Sequence, residues 1–399
     1  MKLSKRINKM ELSPIRKFNV IAKNRADAGV KIYHLNIGQP DIKTPKCFME
    51  SVKNFDNSVV AYTESSGITN LQDAIIAYFK NYNIDFERKN LMMTNGGSEA
   101  LSMIFTAILN PEDKVMIPEP FYSNYNGFIT SADGVIKPIT TTPEDGYHYA
   151  EKGLLEKSFV KGVKAICCIS PGNPTGTVLS LDEMKIICEF AKKHDLWIVA
   201  DEVYREFVFD GRNVTSFGML KDYADRIIIV DSVSKRFSAC GARVGYIASH
   251  NNDLMDSILK IAQGRLCIST LEQIGATALY RMNSKYFDTV RAEYESRRNI
   301  AYEELKKIPG LVCQKSGGAF YMTMKLPVKN AEDFLMFLLT EFSDKGETVM
   351  FSPAEGFYAT SGLGASEIRI AYVLDKEDMG RAVELIRLGL IAYKEKKGD

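Results

Sequence analysis

The stretch DSVSKRFSACGARVG, residues 231–245, sets a lysine and two serines just after the apolar run Ile227–Val230, with an arginine eight residues beyond the lysine. A lysine at a crowded strand end, close to other cations, can have its amine pKa lowered and attack a carbonyl. Arg243, with the hydroxyls of Ser232 and Ser234, suits a phosphate. TNGGSEAL places Gly96, Gly97 and Ser98 at the start of a predicted helix, where free backbone N–H groups and the helix dipole favour an anion. An aldehyde-reactive amine beside a phosphate cup implies pyridoxal 5'-phosphate, with Lys235 as its Schiff-base partner. That cofactor needs a carboxylate to keep its ring nitrogen protonated. Asp201 of DEVY can supply it, although an aspartate there could also cap the segment that follows. Asn173 of PGNPTG and Tyr204 are donors for the cofactor's phenolic oxygen. Tyr122 of EPFYSNY is the candidate ring to stack on its face, with Phe121 and Tyr125 near enough to compete.

These groups need elements that bring them to one place. AICCIS precedes PGNPTG, LWIVA precedes DEVY, and RIIIV precedes DSVSK, so three predicted strands each end in a polar cluster. In open α/β sheets ligands bind beyond the carboxyl ends of the strands. Helical patterns such as LQDAIIAYFKNYN, with Leu71, Ile75, Tyr78 and Phe79 on one side, alternate with these runs. The alternation implies an α/β fold with a mostly parallel sheet between helices. After the long charged helix predicted within 284–308, GAFYMTMKL and SEIRIAYVL alternate as strands with one solvated face would. The expected organisation is a large cofactor-binding domain over 45–285 and a smaller α+β domain from 1–44, with its N-terminal arm, and 286–399.

Composition narrows the classes further. The 399 residues carry 51 Lys+Arg against 50 Asp+Glu, a formal net charge of +1, so no electrostatic argument favours nucleic acid or an anionic membrane. Seven cysteines without a CxxC pair suggest reduced thiols, and His34, His148, His194 and His250 lack metal-ligand spacing, so no metal site is expected. No apolar run is long enough to span a bilayer. The basic N-terminal stretch MKLSKRINKMELSPIRKF has no apolar segment of the secretory kind, which reads as a cytoplasmic protein.

In order along nearly the whole chain, NIGQPD, YTESSGITNL, NGGSEAL, PEPFYSNY, PGNPTG, DEVY, SVSKRFSACGARVG, GGAFY and EIRIAY resemble the class I/II aminotransferases, fold type I pyridoxal phosphate enzymes of the aspartate-aminotransferase superfamily. The resemblance implies a homodimer in which Tyr62 reaches the cofactor phosphate of the other subunit. It implies that Arg369 grips the substrate α-carboxylate, that the Gly38 backbone touches the same group, and that Asn173 also faces substrate. It implies transfer of an amino group from an L-amino acid to a 2-oxo acid, with aspartate or glutamate the first expectation and alanine or aromatic amino acids next. A carbon–sulfur lyase on the same fold is the rival chemistry. Arg265 is a candidate cation for a second substrate carboxylate. Gln72 and Ser316 stand where arginine and proline are frequent in the family, and neither belongs to the proposed chemistry. A cofactor-sensing regulator would carry a DNA-binding domain ahead of NIGQPD, which is not expected here because that motif is reached by residue 36.

Overall fold

A computed structural model describes residues 1–10 and 17–398; residues 11–16, inside the basic N-terminal stretch and the expected arm, and residue 399 lie outside it. The chain begins with α1 (Asn19–Asp27), β1 (Lys31–His34), α2 (Lys46–Lys53) and α3 (Thr69–Lys80). Then follow β2 (Leu91–Thr94), α4 (Gly96–Ile108), β3 (Lys114–Glu119), α5 (Asn124–Ser131), β4 (Val135–Thr140) and α6 (Lys152–Ser158). Next come β5 (Val163–Ile169), α7 (Leu181–Lys193), β6 (Trp197–Asp201), β7 (Ile227–Ser232) and α8 (Val233–Arg236). β8 (Gly245–Ala248), α9 (Asn252–Arg265) and α10 (Thr270–Tyr280) complete this part.

Seven of these strands form one sheet in the order β2-β8-β7-β6-β5-β3-β4. Every pairing is parallel except those of β8 with β2 and β7. The apolar runs are continuous because both faces are covered. Ile166, Cys168, Ile198, Ala200, Ile227 and Ile229 face one core, together with Leu71, Ile75 and Phe79 of α3 and Met184 and Ile187 of α7. Ala165, Cys167, Val199, Ile228 and Val230 face the other, against Leu101 and Ile104 of α4, Ile129 of α5 and Ile258 of α9. Local signals set the helix ends. At α7 the Ser180 side chain accepts from the Glu183 amide while Glu183 accepts from the Ser180 amide, a capping box.

α11 (Lys285–Leu305) leads to β9 (Tyr321–Lys325), α12 (Ala331–Thr340), β10 (Glu347–Met350), β11 (Ser352–Pro353), β12 (Glu367–Ala371) and α13 (Lys376–Lys397). β1 pairs in parallel with β10, and β11-β12-β9 form an antiparallel sheet in which Arg369 lies opposite Thr323 and Ser352. A third core joins Met322, Met324, Ile368 and Ile370 to Phe334 and Leu338 of α12 and Val383 and Ile386 of α13. The sequence pattern suggests a solvated second face for β9 and β12. Instead, all of β12 is buried, with Arg369 only 1% exposed. The loop after β5 covers that face: Thr323 donates to the Pro174 carbonyl at 2.8 Å, and Arg369 donates to the Asn173 side chain. Polar residues alternate there because they face a cleft between layers rather than water.

Candidate active site

The ends of β3, β5, β6 and β7 and the start of α4 open onto a cleft of about 590 Å³. Gly38, Gly97, Ser98, Tyr122, Asn173, Asp201, Tyr204, Ser232, Ser234, Lys235, Arg243 and Arg369, the expected site residues other than Tyr62, all line it. Residues spread from 38 to 369 meet because parallel strands deliver their carboxyl ends to one edge.

Lys235 lies in α8, the short turn that β7 runs into, and is half-buried. Its Nζ donates to the Gly38 carbonyl at 3.1 Å. Asp201, the last residue of β6, accepts the Tyr125 hydroxyl at 2.5 Å and the Val203 amide at 3.2 Å. It thus makes the local turn contact and still faces the cleft. Burial pushes its carboxyl up to about 6, against the pull of those two hydrogen bonds. The Tyr204 hydroxyl pairs with that of Tyr321 at 3.0 Å, and burial raises the Tyr204 pKa well above the ordinary phenol range.

Arg243 has φ +53° and donates to the carbonyls of Cys240 at 3.1 Å and Asn95 at 3.2 Å, where α4 begins. These contacts set its exposed guanidinium beside the free N–H groups of that helix, and it makes no ion pair with a described residue. Gly96 explains the glycine there: its φ is +73°, and a Cβ would come within 2.3 Å of the Arg243 guanidinium.

Arg369 donates to the Asn173 side chain at 3.0 Å, to Ser352 Oγ at 3.3 Å and to the Asn36 carbonyl. Among the described residues its Nε has no partner and no carboxylate pairs with it, and burial lowers its pKa. The Tyr321 ring lies 4.6 Å from the guanidinium. A Cβ on Gly38 would overlap the Tyr321 hydroxyl, so a side chain there would displace the Tyr321 ring, while the Gly38 carbonyl accepts from both Lys235 and Tyr321.

Of the three rings in EPFYSNY, Phe121 and Tyr125 are fully buried and Tyr122 is half-open into the cleft, its hydroxyl accepting from Asn124 at 2.6 Å. Tyr62 does not join the group: its side chain is 81% exposed, away from this chain's cleft. Arg265 also lies outside. It pairs with Glu99 at 3.4 Å and donates to the carbonyls of Met93 and Ser65. Sequence reasoning missed the contact of Tyr125 with Asp201 and the placement of Tyr321, which the GGAFY motif could have signalled.

The cleft fits pyridoxal phosphate. The start of α4 beside Arg243, the buried carboxylate of Asp201 and the reachable amine of Lys235 match its phosphate, ring nitrogen and aldehyde. Fold and site together define a fold type I transferase of the α/β class. The chain matches the profile of the family described as aminotransferase class I and II over residues 30–386, and it belongs to that family. It is 30% identical over 400 residues to an aspartate aminotransferase of Bacillus subtilis, covering 97% of this chain and 98% of the other. It is 32% identical over 402 residues to an asparagine–oxo-acid transaminase of Streptococcus mutans, covering 99% and 100%. An alanine aminotransferase structure from Pyrococcus furiosus superposes with a TM-score of 0.89 at 27% identity, over 98% of this chain and 100% of that one. The protein is an aminotransferase.

Proposed function

We propose that this enzyme moves the amino group of an L-amino acid, aspartate or glutamate first among them, to a 2-oxo acid, with pyridoxal phosphate held in the cleft. The convergence of Lys235, Asp201 and Arg369 in one cleft carries the proposal. Bound there, pyridoxal phosphate supplies an aldehyde that condenses with amines and a ring that draws electrons from the substrate α-carbon. Gly97, Ser98, Ser232, Ser234 and Arg243 hold its phosphate. Asp201 holds the proton on its ring nitrogen, Asn173 and Tyr204 donate to its phenolic oxygen, and Tyr122 covers one ring face. Arg369 binds the substrate carboxylate, with Asn173 and the Gly38 backbone beside it. The Lys235 amine takes the proton from the α-carbon and returns one during transfer. The buried guanidinium of Arg369, which pairs with no carboxylate among the described residues, supports its assignment in particular.

Aspartate is proposed because relatives at 30% identity bear the names aspartate aminotransferase and probable aspartate aminotransferase, and glutamate because it is the usual amino donor in this family. Lys235, Arg243 and Arg369 are the cations lining the cleft, so a second carboxylate falls to neutral donors such as Gln39 or to a partner subunit. We take residues 45–285 as the cofactor domain, with 1–44 and 286–399 as the domain that carries Arg369, in a cytoplasmic homodimer. No described helix is long and apolar enough to cross a membrane. The test is the visible spectrum of cofactor-loaded protein. L-aspartate or L-glutamate should bleach the lysine-bound band and 2-oxoglutarate should restore it. Bleaching only by alanine or aromatic amino acids moves the substrate; ammonia and pyruvate released without an acceptor identify a lyase.

A further inference from the structure

Behind the cleft, charged side chains form a cluster out of contact with solvent, in which Arg205 Nε and Arg236 Nε and Nη1 have no hydrogen-bond partner among the described residues. Asp231 Oδ2 accepts from Arg205 Nη2 at 2.6 Å, from the Tyr246 hydroxyl at 3.0 Å and from Arg236 Nη2. Glu202 accepts from Arg205 Nη1 at 2.7 Å, from the Ser216 hydroxyl and from the Phe217 amide at 2.8 Å. Asp231, Glu202, Arg205 and Arg236 are each at most 1% exposed. The guanidinium of Arg205 lies 4.8 Å from the Phe79 ring and that of Arg236 lies 4.5 Å from the Tyr78 ring, both on α3. Asp201 points the other way, to Tyr125 of α5. The cluster and the cleft therefore occupy opposite sides of the same strand ends.

Every member of the cluster is a sequence neighbour of a cleft residue. Glu202 follows Asp201, Arg205 follows Tyr204, Asp231 precedes Ser232 and Arg236 follows Lys235. We propose that this charge-balanced cluster is a positioning device that fixes the separation and orientation of Asp201, Tyr204 and Lys235 by locking the ends of β6 and β7 and the turn of α8 together. Stability alone is a poor reason for such a cluster, because apolar side chains of similar volume often replace buried ion groups without loss. Geometry is a better one. A charge-assisted hydrogen bond is short and directional, and displacing either strand end leaves a buried charge short of a partner. Asp231 ties three separate elements: the segment after β6 through Arg205, α8 through Arg236 and β8 through Tyr246. Apolar packing would hold these elements together without setting their register so narrowly.

The inference rests on the proposed cofactor chemistry, and its test separates the two. Full-length Arg236→Met is loaded with pyridoxal phosphate and compared with wild type by thermal midpoint, visible circular dichroism of the bound cofactor, kcat and KM. The dichroism should lose amplitude and kcat should fall about tenfold or more, since small misplacement of reacting groups is costly. KM for the amino acid should stay within roughly threefold, because Arg369 is untouched. Arg236→Lys should recover part of the amplitude. A lower midpoint with wild-type dichroism and kcat would make the cluster merely stabilising and overturn the proposal. Should Arg236→Met not fold, Tyr246→Phe decides: it removes one donor to Asp231 and no charge, and a wild-type spectrum and kcat there overturn the proposal equally. A wild-type protein with no visible band on loading would instead overturn the cofactor reading.

Discussion

Asp201 is the residue whose environment says most about what is to be bound. Burial raises its pKa from 3.8 to about 6, so the folded protein holds its proton where the unfolded chain has lost it. The stability this confers is present below pH 3.8 and is lost as pH rises through about 6. A shift of this size corresponds to about 3 kcal/mol at most. Cofactor-free Asp201→Asn should therefore be more stable than wild type at about pH 7.5 and nearly equal to it at about pH 4 in urea titrations. A constant difference at both would show that the carboxylate is not strained by burial. Arg369 makes the opposite case, a buried cation with no carboxylate partner among the described residues, which we propose takes the substrate carboxylate. Arg369→Met should lower kcat/KM by about 100-fold or more, largely through KM, through loss of two charge-assisted hydrogen bonds. The cofactor's visible band should not change, and a lost band would place Arg369 in cofactor binding instead. Both residues were legible in the sequence by type and motif. The pairing of Tyr125 with Asp201 was not, because it joins side chains from α5 and β6 that come together only across the sheet.

Among the elements, the helix starts divide into structural and functional ones. At α7, Ser180 and Glu183 cap each other, so Ser180→Ala should cost about 1 kcal/mol of stability and leave cofactor affinity unchanged. At α4 we propose that the start holds the cofactor phosphate. Gly96→Ala imposes a side chain at positive φ and displaces Arg243, so the cofactor Kd should rise about tenfold, which equilibrium dialysis would measure. An unchanged Kd would mean that Arg243 does not hold the phosphate. The central strands β5, β6 and β7 of the large sheet were readable because they are apolar on both faces and end in polar clusters, whereas the half-exposed edge strand β4 was not. β12 misled: its alternation is that of a half-solvated strand, but the face carrying Arg369 is covered by the loop after β5. The parallel pairing of β1 with β10 joins segments from opposite ends of the chain, and no local pattern announces such a contact.

For the whole molecule, the question is what covers the exposed segment around Tyr62. Val59, Val60 and Tyr62 are 68%, 59% and 81% exposed, and Thr270 ties this segment to the start of α10 by donating to the Ala61 carbonyl at 3.0 Å. Leu266, just ahead of α10, is 51% exposed. Apolar side chains gathered in this way suit a protein interface. If a second copy covers them and its Tyr62 serves this chain's cleft, neither subunit's site is complete alone. Lys235→Ala should be inactive and Tyr62→Ala strongly impaired. In a mixed dimer, however, the subunit that keeps Lys235 receives Tyr62 from its Lys235→Ala partner. Random reassociation of equal amounts makes half the dimers mixed, with one complete site each, so activity should return to about one quarter of wild type. Light scattering on the same sample fixes the oligomeric state. A dimer without recovery would show that Tyr62 acts in its own subunit or not at all, and a monomer with full activity would remove the shared site altogether.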